Sequence, residues 1–383
     1  MDLGLNEEQE MLKKSAREFL VKECPKKLVR EMDESDTGLS KELWKKMAEL
    51  GWMGLPFPEK YGGNGGSLLD LTVLLDEMGY NIVPGPFFST VVLAGFTLLA
   101  AGSEKQKEDY LGKICSGDMI MTLALTGMEG TYSPASLDME AKASGGHYIL
   151  NGTKMFVPDA GVADFILVVA RTEKSSKPED GVSIFIVDAK SAGLKVTPLK
   201  TLGRDKLCEV AFKDVKVPAA NLVGKLNGGW PVVQSILRKA TVSKCAEMVG
   251  GAQASLDMAV SYAKERVQFN RPIGAFQAIQ HYCANMVTDV DGSRFITYKA
   301  AWTESEGLPA EMEVSMAEAW TSEAFKRVAV LAHQIFGAIG FTMDHDMHLY
   351  FRRAKAAEIA YGDADFHREN VAVKMGLQDP DRG

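Results

Sequence analysis

The order of residues predicts a mostly α-helical protein with one central β-domain. Three observations carry this. Apolar residues recur at helical spacing from the start to residue 118, short β-rich runs fill 119–227, and long helical periodicity returns over 228–383. Runs of strands between two helical blocks, with no strand–helix alternation, exclude a Rossmann arrangement. The expected architecture is an N-terminal helical domain (1–118), a small β-barrel (119–227) and a C-terminal four-helix bundle (228–383).

In the first block, Asn6 followed by Gln9 reads as a capping box, and Met11, Leu12, Ala16, Phe19 and Leu20 follow at helical spacing. Ser40 is placed to cap a second helix with Leu43, Met47 and Leu50 inward. The glycine-rich break Tyr61–Gly66 precedes a third helix from Leu68 to Met78; further helices are expected from near Ser89 and over Lys105–Ile114. Strands are expected at Met119–Leu125, His147–Val157, Asp164–Arg171, Val182–Val187, Leu194–Leu199 and Val210–Val217. The pair Asn151-Gly152 inside the second run reads as a hairpin turn, because both turn positions need positive φ. The last block reads as four helices: Trp230–Arg266, Phe276–Glu304, Met312–Ile339 and Arg352–Met375.

Composition bounds the function. Of 383 residues, 46% are apolar, enough for a sizeable core, and the net charge of -8 argues against nucleic acid as the main partner. Five cysteines, Cys24, Cys115, Cys208, Cys245 and Cys283, show no CxxC spacing, which suits buried thiols in a reducing cytoplasm. The N-terminal stretch Met1–Glu8 lacks the basic and apolar regions of a signal peptide, and Thr90–Gly102 is too short to span a bilayer. His345, His348 and His367 do not sit at metal-ligand spacing, so no metal is expected.

The segment Glu265–Gln280 holds two polar clusters and a proline stop that a plain amphipathic helix does not need. It resembles a signature of the acyl-CoA dehydrogenase family. Tyr148–Met155 resembles that family's central hairpin, Phe212–Pro218 with Leu222-Val223-Gly224 its strand leading out of the β-domain, and His333–Phe341 a cofactor-contacting turn. Four such matches, in the family's order, span most of the chain. Read singly, each has a plainer reading: Arg266 could pair with Glu265 or Asp291, and Gly337 and Gly340 could be helix-packing or capping glycines.

The resemblance implies FAD-dependent oxidation of an acyl-CoA thioester at Cα and Cβ, with an electron-transfer flavoprotein as acceptor and a homotetramer or a heterotetramer with a related subunit. It implies that Arg266, Gln268 and Phe269 reach a neighbouring protomer's FAD. Gln277, Gln334 and Gly337 would serve the same cofactor, and Thr126 and Phe156 its flavin ring. The chemistry needs hydrogen bonds on the thioester carbonyl and a base beside the α-carbon.

The family pattern fails on the reactive side. Where the family's glutamate base precedes a glycine, this chain has Tyr361-Gly362. A tyrosine of ordinary pKa, near 10, is almost wholly neutral at neutral pH and a poor proton acceptor. The alternative base position, on the first C-terminal helix, is Ala240. The Thr-Glu-Pro and Gly-Ser-Asp of many relatives become Thr126–Ser133, in which only Thr126 fits well, and the hydroxyl residue expected two after Phe156 is Pro158.

Two readings stay open. One is a divergent dehydrogenase with a relocated base, Asp363 or Asp159, or with Tyr361 acidified by its surroundings; capping of the next helix is the plainer reading of Asp363. The other is a subunit of a heteromeric dehydrogenase that completes a partner's FAD site. A flavin monooxygenase or oxidase on the same fold is a third, without a positive sign. Phe87 and Phe88, flanked by Pro84 and Pro86, suggest a compact or cyclic acyl group, although core packing would use them equally well.

Overall fold

The computed structural model describes residues 4–377; Met1, Asp2 and Leu3, the start of the acidic N-terminal stretch, lie outside the described residues. The chain has, in order, helices, a run of strands and helices again. Two compact units account for it: one of Met1–Val29, Leu68–Val83 and Thr241–Gly383, the other of Arg30–Ser67 and Pro84–Ala240.

Helices α1 (Glu7–Glu23), α2 (Lys26–Glu34), α3 (Lys41–Glu49) and α4 (Leu68–Asn81) come first. The Asn6 capping box forms, with Gln9 N donating to Asn6 Oδ1 at 2.8 Å and Asn6 N to Gln9 Oε1 at 3.1 Å. Ser40 Oγ accepts from Leu43 N at 3.3 Å and starts α3. The helix expected from Ser89 begins as a π-helical stretch, Phe88–Gly95, and continues as α5 (Phe96–Ala101); α6 (Glu104–Cys115) follows. Phe87 is buried in this region.

The strands are β1 (Met121–Ala124), β2 (Glu140–Ser144), β3 (His147–Pro158), β4 (Phe165–Arg171), β5 (Val182–Asp188), β6 (Leu194–Pro198), β7 (Leu207–Pro218) and β8 (Leu222–Val223). Their order is β6-β7-β3-β2-β4-β5-β8, with β1 parallel to β4. Leu150, Val168, Phe185, Val210 and Val215, from β3, β4, β5 and β7, share one apolar core. The sequence reading missed β2 and misread Asn151-Gly152. The β2–β3 turn is at Gly145-Gly146, both with positive φ, and Asn151-Gly152 lies within β3. There the register against β7 slips between Leu150 and Gly152. Asn151 holds the bulge, its Nδ2 donating to Asp214 Oδ1 at 3.1 Å and its Oδ1 accepting from Asp214 N at 2.9 Å. An Asn-Gly pair signals positive φ, and a bulge uses that as readily as a turn.

The helical unit is built from α1, α4, most of α7 (Gly229–Glu265), α8 (Gln277–Ser305), α9 (Glu311–Phe336), α10 (Met347–Ala357) and α11 (Ala364–Lys374). Gly250 of α7 and Gly79 of α4 let these two helices touch, because a Cβ on either would overlap a backbone carbonyl of the other helix. The carboxylate of Glu77, fully buried on α4, is held by two N–H groups of Arg17 from α1. The fourth expected helix, Arg352–Met375, is two helices. Tyr361 at φ 63° and Gly362 at φ 111° break it between α10 and α11, because two successive left-handed residues cannot continue a right-handed helix.

Candidate functional site

At the end of α7 the chain makes a two-residue hairpin, β9 (Val267–Gln268) with β10 (Arg271–Pro272). Its corner is Phe269-Asn270, at φ 53° and 59°. Positive φ at both central residues defines a type I′ turn, which favours Asn or Gly and disfavours a bulky side chain. Phe269 is nevertheless 86% exposed, its ring edge-on to Phe276 at 6.0 Å. A strained aromatic held out in solvent contributes nothing to its own core.

Arg266 lies beside this turn, exposed, and its backbone is fixed: its N–H reaches Tyr262 O and its carbonyl accepts from Ile273 N, each at 2.8 Å. Both partners suggested by the plain reading are engaged elsewhere. Glu265 Oε1 accepts from Ser261 Oγ at 3.1 Å, and Asp291 Oδ1 accepts from Arg294 at 3.2 Å. Among the described residues the Arg266 guanidinium has no side-chain partner. Gln268 folds back on its neighbour, Nε2 donating to Val267 O at 2.8 Å. Gln277, at the start of α8, and Gln334, near the end of α9, are exposed. Gly337 closes α9 at φ 66° and ψ -142°, a conformation open to glycine alone.

In the other unit, Thr126 pairs with Met155, the residue before Phe156 in β3. Thr126 Oγ1 donates to Met155 O, and Met155 N donates to Thr126 O at 3.0 Å. Phe156 stands at φ 55° where the β3 register slips a second time, and is 49% exposed. Pro158 offers only its carbonyl, which accepts from Thr122 Oγ1 at 2.6 Å. Next to Met155 in β3 is Lys154, which sequence reasoning did not single out. It is completely buried, donates to Leu125 O at 2.7 Å, and is pushed down to about 7 by burial, with Asp138 opposing and Arg171 adding to the shift.

None of the three residues offered as a base is an uncommitted carboxylate. Asp363 is the N-cap of α11, its Oδ1 accepting from Phe366 N at 2.9 Å, so the plainer reading describes its contact. Asp159, at φ 52°, accepts from Ser89 Oγ at 2.6 Å. Tyr361 is half-buried in the break between α10 and α11. Ala240 is buried inside α7.

This donor set suits FAD on its polar side. An unpaired guanidinium and exposed amides match a pyrophosphate and ribose. Thr126 has spent its hydroxyl proton on Met155 O, so it retains only acceptor capacity. Among the described residues no cluster of His, Cys, Asp and Glu could hold a metal, and no helix is long and apolar enough to cross a membrane. All five cysteines are free thiols, four of them buried.

In chain order the described residues run helices, strands, helices, with the hairpin after α7 and the Gly337 turn after α9, an order shared with a class of flavoprotein dehydrogenases. The chain belongs to the acyl-CoA dehydrogenase family, whose N-terminal, middle and C-terminal domain models match residues 6–118, 122–215 and 227–376. It is 30% identical to the short-chain specific acyl-CoA dehydrogenase of Clostridium acetobutylicum, over 98% of this chain and all of that one. It is 31% identical to CarC, a subunit of the caffeyl-CoA reductase–Etf complex of Acetobacterium woodii, over 93% of this chain and 95% of that one. The structure also resembles the ChsE4–ChsE5 complex of Mycobacterium tuberculosis, with a TM-score of 0.89 and 31% identity over 99% of this chain and 100% of the compared chain.

Proposed function

We propose that this chain is an FAD-dependent acyl-CoA dehydrogenase of the cytoplasm, passing electrons to an electron-transfer flavoprotein and working as a tetramer. The observation that carries the reading is the Arg266–Phe269 segment, where a cation without a side-chain partner among the described residues is followed three positions on by a strained, solvent-facing aromatic. Both are unexplained by their own chain and suit a cofactor bound partly by a neighbour. Arg266, Gln268, Gln277 and Gln334 would hold the pyrophosphate and ribose, with Gly337 letting the chain turn beside them. Thr126 would accept a hydrogen bond from the ring, and Phe156 would cover one ring face. FAD, when bound, supplies the acceptor for the hydride that leaves Cβ. The protein's share is to orient the thioester, exclude water and manage the α-proton. Tyr361 would stand beside the α-carbon, where a neutral phenol holds a proton better than it takes one.

A second reading is favoured by one contrast: the cofactor-reaching residues are retained, whereas Pro158, Ala240 and Tyr361 depart from the family on the reactive side. In it the chain completes the FAD site of a related subunit, as the heteromeric ChsE4–ChsE5 relative suggests. Purification of this chain alone, with a visible spectrum and a native mass, separates the two. Bound FAD in a homotetramer supports the independent enzyme. A colourless chain that gains flavin and thioester-dependent electron transfer only with a second polypeptide supports the dependent subunit.

A further inference from the structure

The break between α10 and α11 is held from behind by a buried histidine. His367, on the first turn of α11 and 4% exposed, points Nε2 at the Tyr361 carbonyl oxygen, 3.2 Å away. Its Nδ1 lies 3.2 Å from Ser315 Oγ on α9. A carbonyl only accepts, so Nε2 carries the proton, and Nδ1 of the neutral ring accepts from the serine hydroxyl. Both ring nitrogens are then satisfied inside the protein. Gly362 makes room for this arrangement: a Cβ there would lie 2.9 Å from His367 Nε2. Tyr361 stays at φ 63°, a conformation that disfavours a bulky side chain and persists only where its surroundings over-determine it.

We propose that His367 is a positioning residue: by gripping the Tyr361 carbonyl it fixes the strained turn that presents the Tyr361 side chain to the acyl-CoA. This rests on the function proposed above for the role of Tyr361, but the grip itself does not. The groups facing the imidazole are Ser315 from α9, the Tyr361 carbonyl from the turn, and Asp363 and the edge-on Phe366 ring from α11. Burial pushes the imidazole down, while the Tyr361 carbonyl and Asp363 oppose the shift. A second ring proton would meet a serine that must reverse its hydroxyl, and a carboxylate already committed to Phe366 N. Because the folded-state value is depressed, the grip is complete above the ordinary histidine range and weakens as pH falls below it, when the loosened state binds the extra proton.

The test uses the full chain as wild type, His367→Gln and His367→Leu. Glutamine can donate to the carbonyl and accept from the serine without titrating; leucine can do neither. Hydrogen exchange of residues 358–363, corrected for intrinsic rates, is followed at about pH 7.5 and about pH 5.5, where wild type should lose ~10-fold protection on acidification. His367→Gln should stay protected at both, and His367→Leu should be unprotected at both. Crotonyl-CoA, titrated as a thioester probe, should bind His367→Leu several-fold more weakly than His367→Gln. Wild-type protection in His367→Leu, or an unchanged pH response in His367→Gln, overturns the grip. An altered turn with equal crotonyl-CoA affinity overturns the positioning role. The exchange arm needs neither flavin nor thioester. A colourless protein therefore counts against the independent enzyme while this arm still decides the inference.

Discussion

Cys245 Sγ donates to Glu318 Oε2 at 3.0 Å inside the helical unit, and Glu318 Oε1 meets no partner there. A carboxyl group in so dry a place resists ionisation. Burial pushes Glu318 up to about 8, only partly offset by the Cys245 hydrogen bond and by Lys244. The raised folded-state value means that its proton is bound more tightly in the fold than in the unfolded chain. Stability is therefore greatest below the unfolded glutamate value, falls as pH rises, and reaches its full loss above about 8. Glu318→Gln removes this slope. Denaturant midpoints should show it stabilised by several kcal/mol near pH 9, and by little near pH 5. Parallel pH profiles for the two proteins would rule out a buried proton on Glu318.

Because Arg266 has no side-chain partner of its own, its loss should leave the isolated fold almost unchanged. Arg266→Ala is expected to keep thermal stability within about 0.5 kcal/mol while lowering FAD retention ~10-fold or more. Phe269→Gly relieves the left-handed strain and should equal or exceed wild type in stability by up to about 1 kcal/mol. It should nevertheless lose flavin affinity. Calorimetry with flavin titration reads both quantities, and a stability loss without a flavin effect would make the hairpin purely structural.

Tyr361→Glu tests the reactive side by gain rather than loss. A carboxylate at this position should accept the α-proton, raising thioester-dependent flavin reduction by ~100-fold in stopped-flow absorbance. The same variant in a dependent subunit would gain nothing, because the ring that must accept the hydride would sit elsewhere.

Gly250→Ala probes the crossing of α4 and α7. Its added methyl group meets the Asp76 carbonyl, a backbone atom that cannot rotate away. Loss of about 3 kcal/mol or more is expected in urea unfolding. An ordinary helix glycine would instead gain about 1 kcal/mol from the same change.

Legibility followed the range of the interaction. The Asn6 and Ser40 caps could be read directly, since each is a hydrogen bond between residues three apart. Of the Asn151-Gly152 pair only Gly152 takes positive φ, and it does so in a bulge that Asp214, 63 residues from Asn151, decides. The Phe269-Asn270 corner had its asparagine as a turn signal, and the phenylalanine before it hid the turn. The periodic run Arg352–Met375 concealed a break whose restraint comes from Ser315 through His367.

The sequence by itself determined the layout of helices, strands and helices, and the family, because periodicity, capping and residue identity are local properties. Tertiary structure alone decided that Arg266 is without a side-chain partner among the described residues, that Lys154 and Glu318 are buried, and that Tyr361 is held in a left-handed turn. Those facts depend on solvent exclusion and on partners brought together from distant parts of the chain, which residue order does not specify position by position.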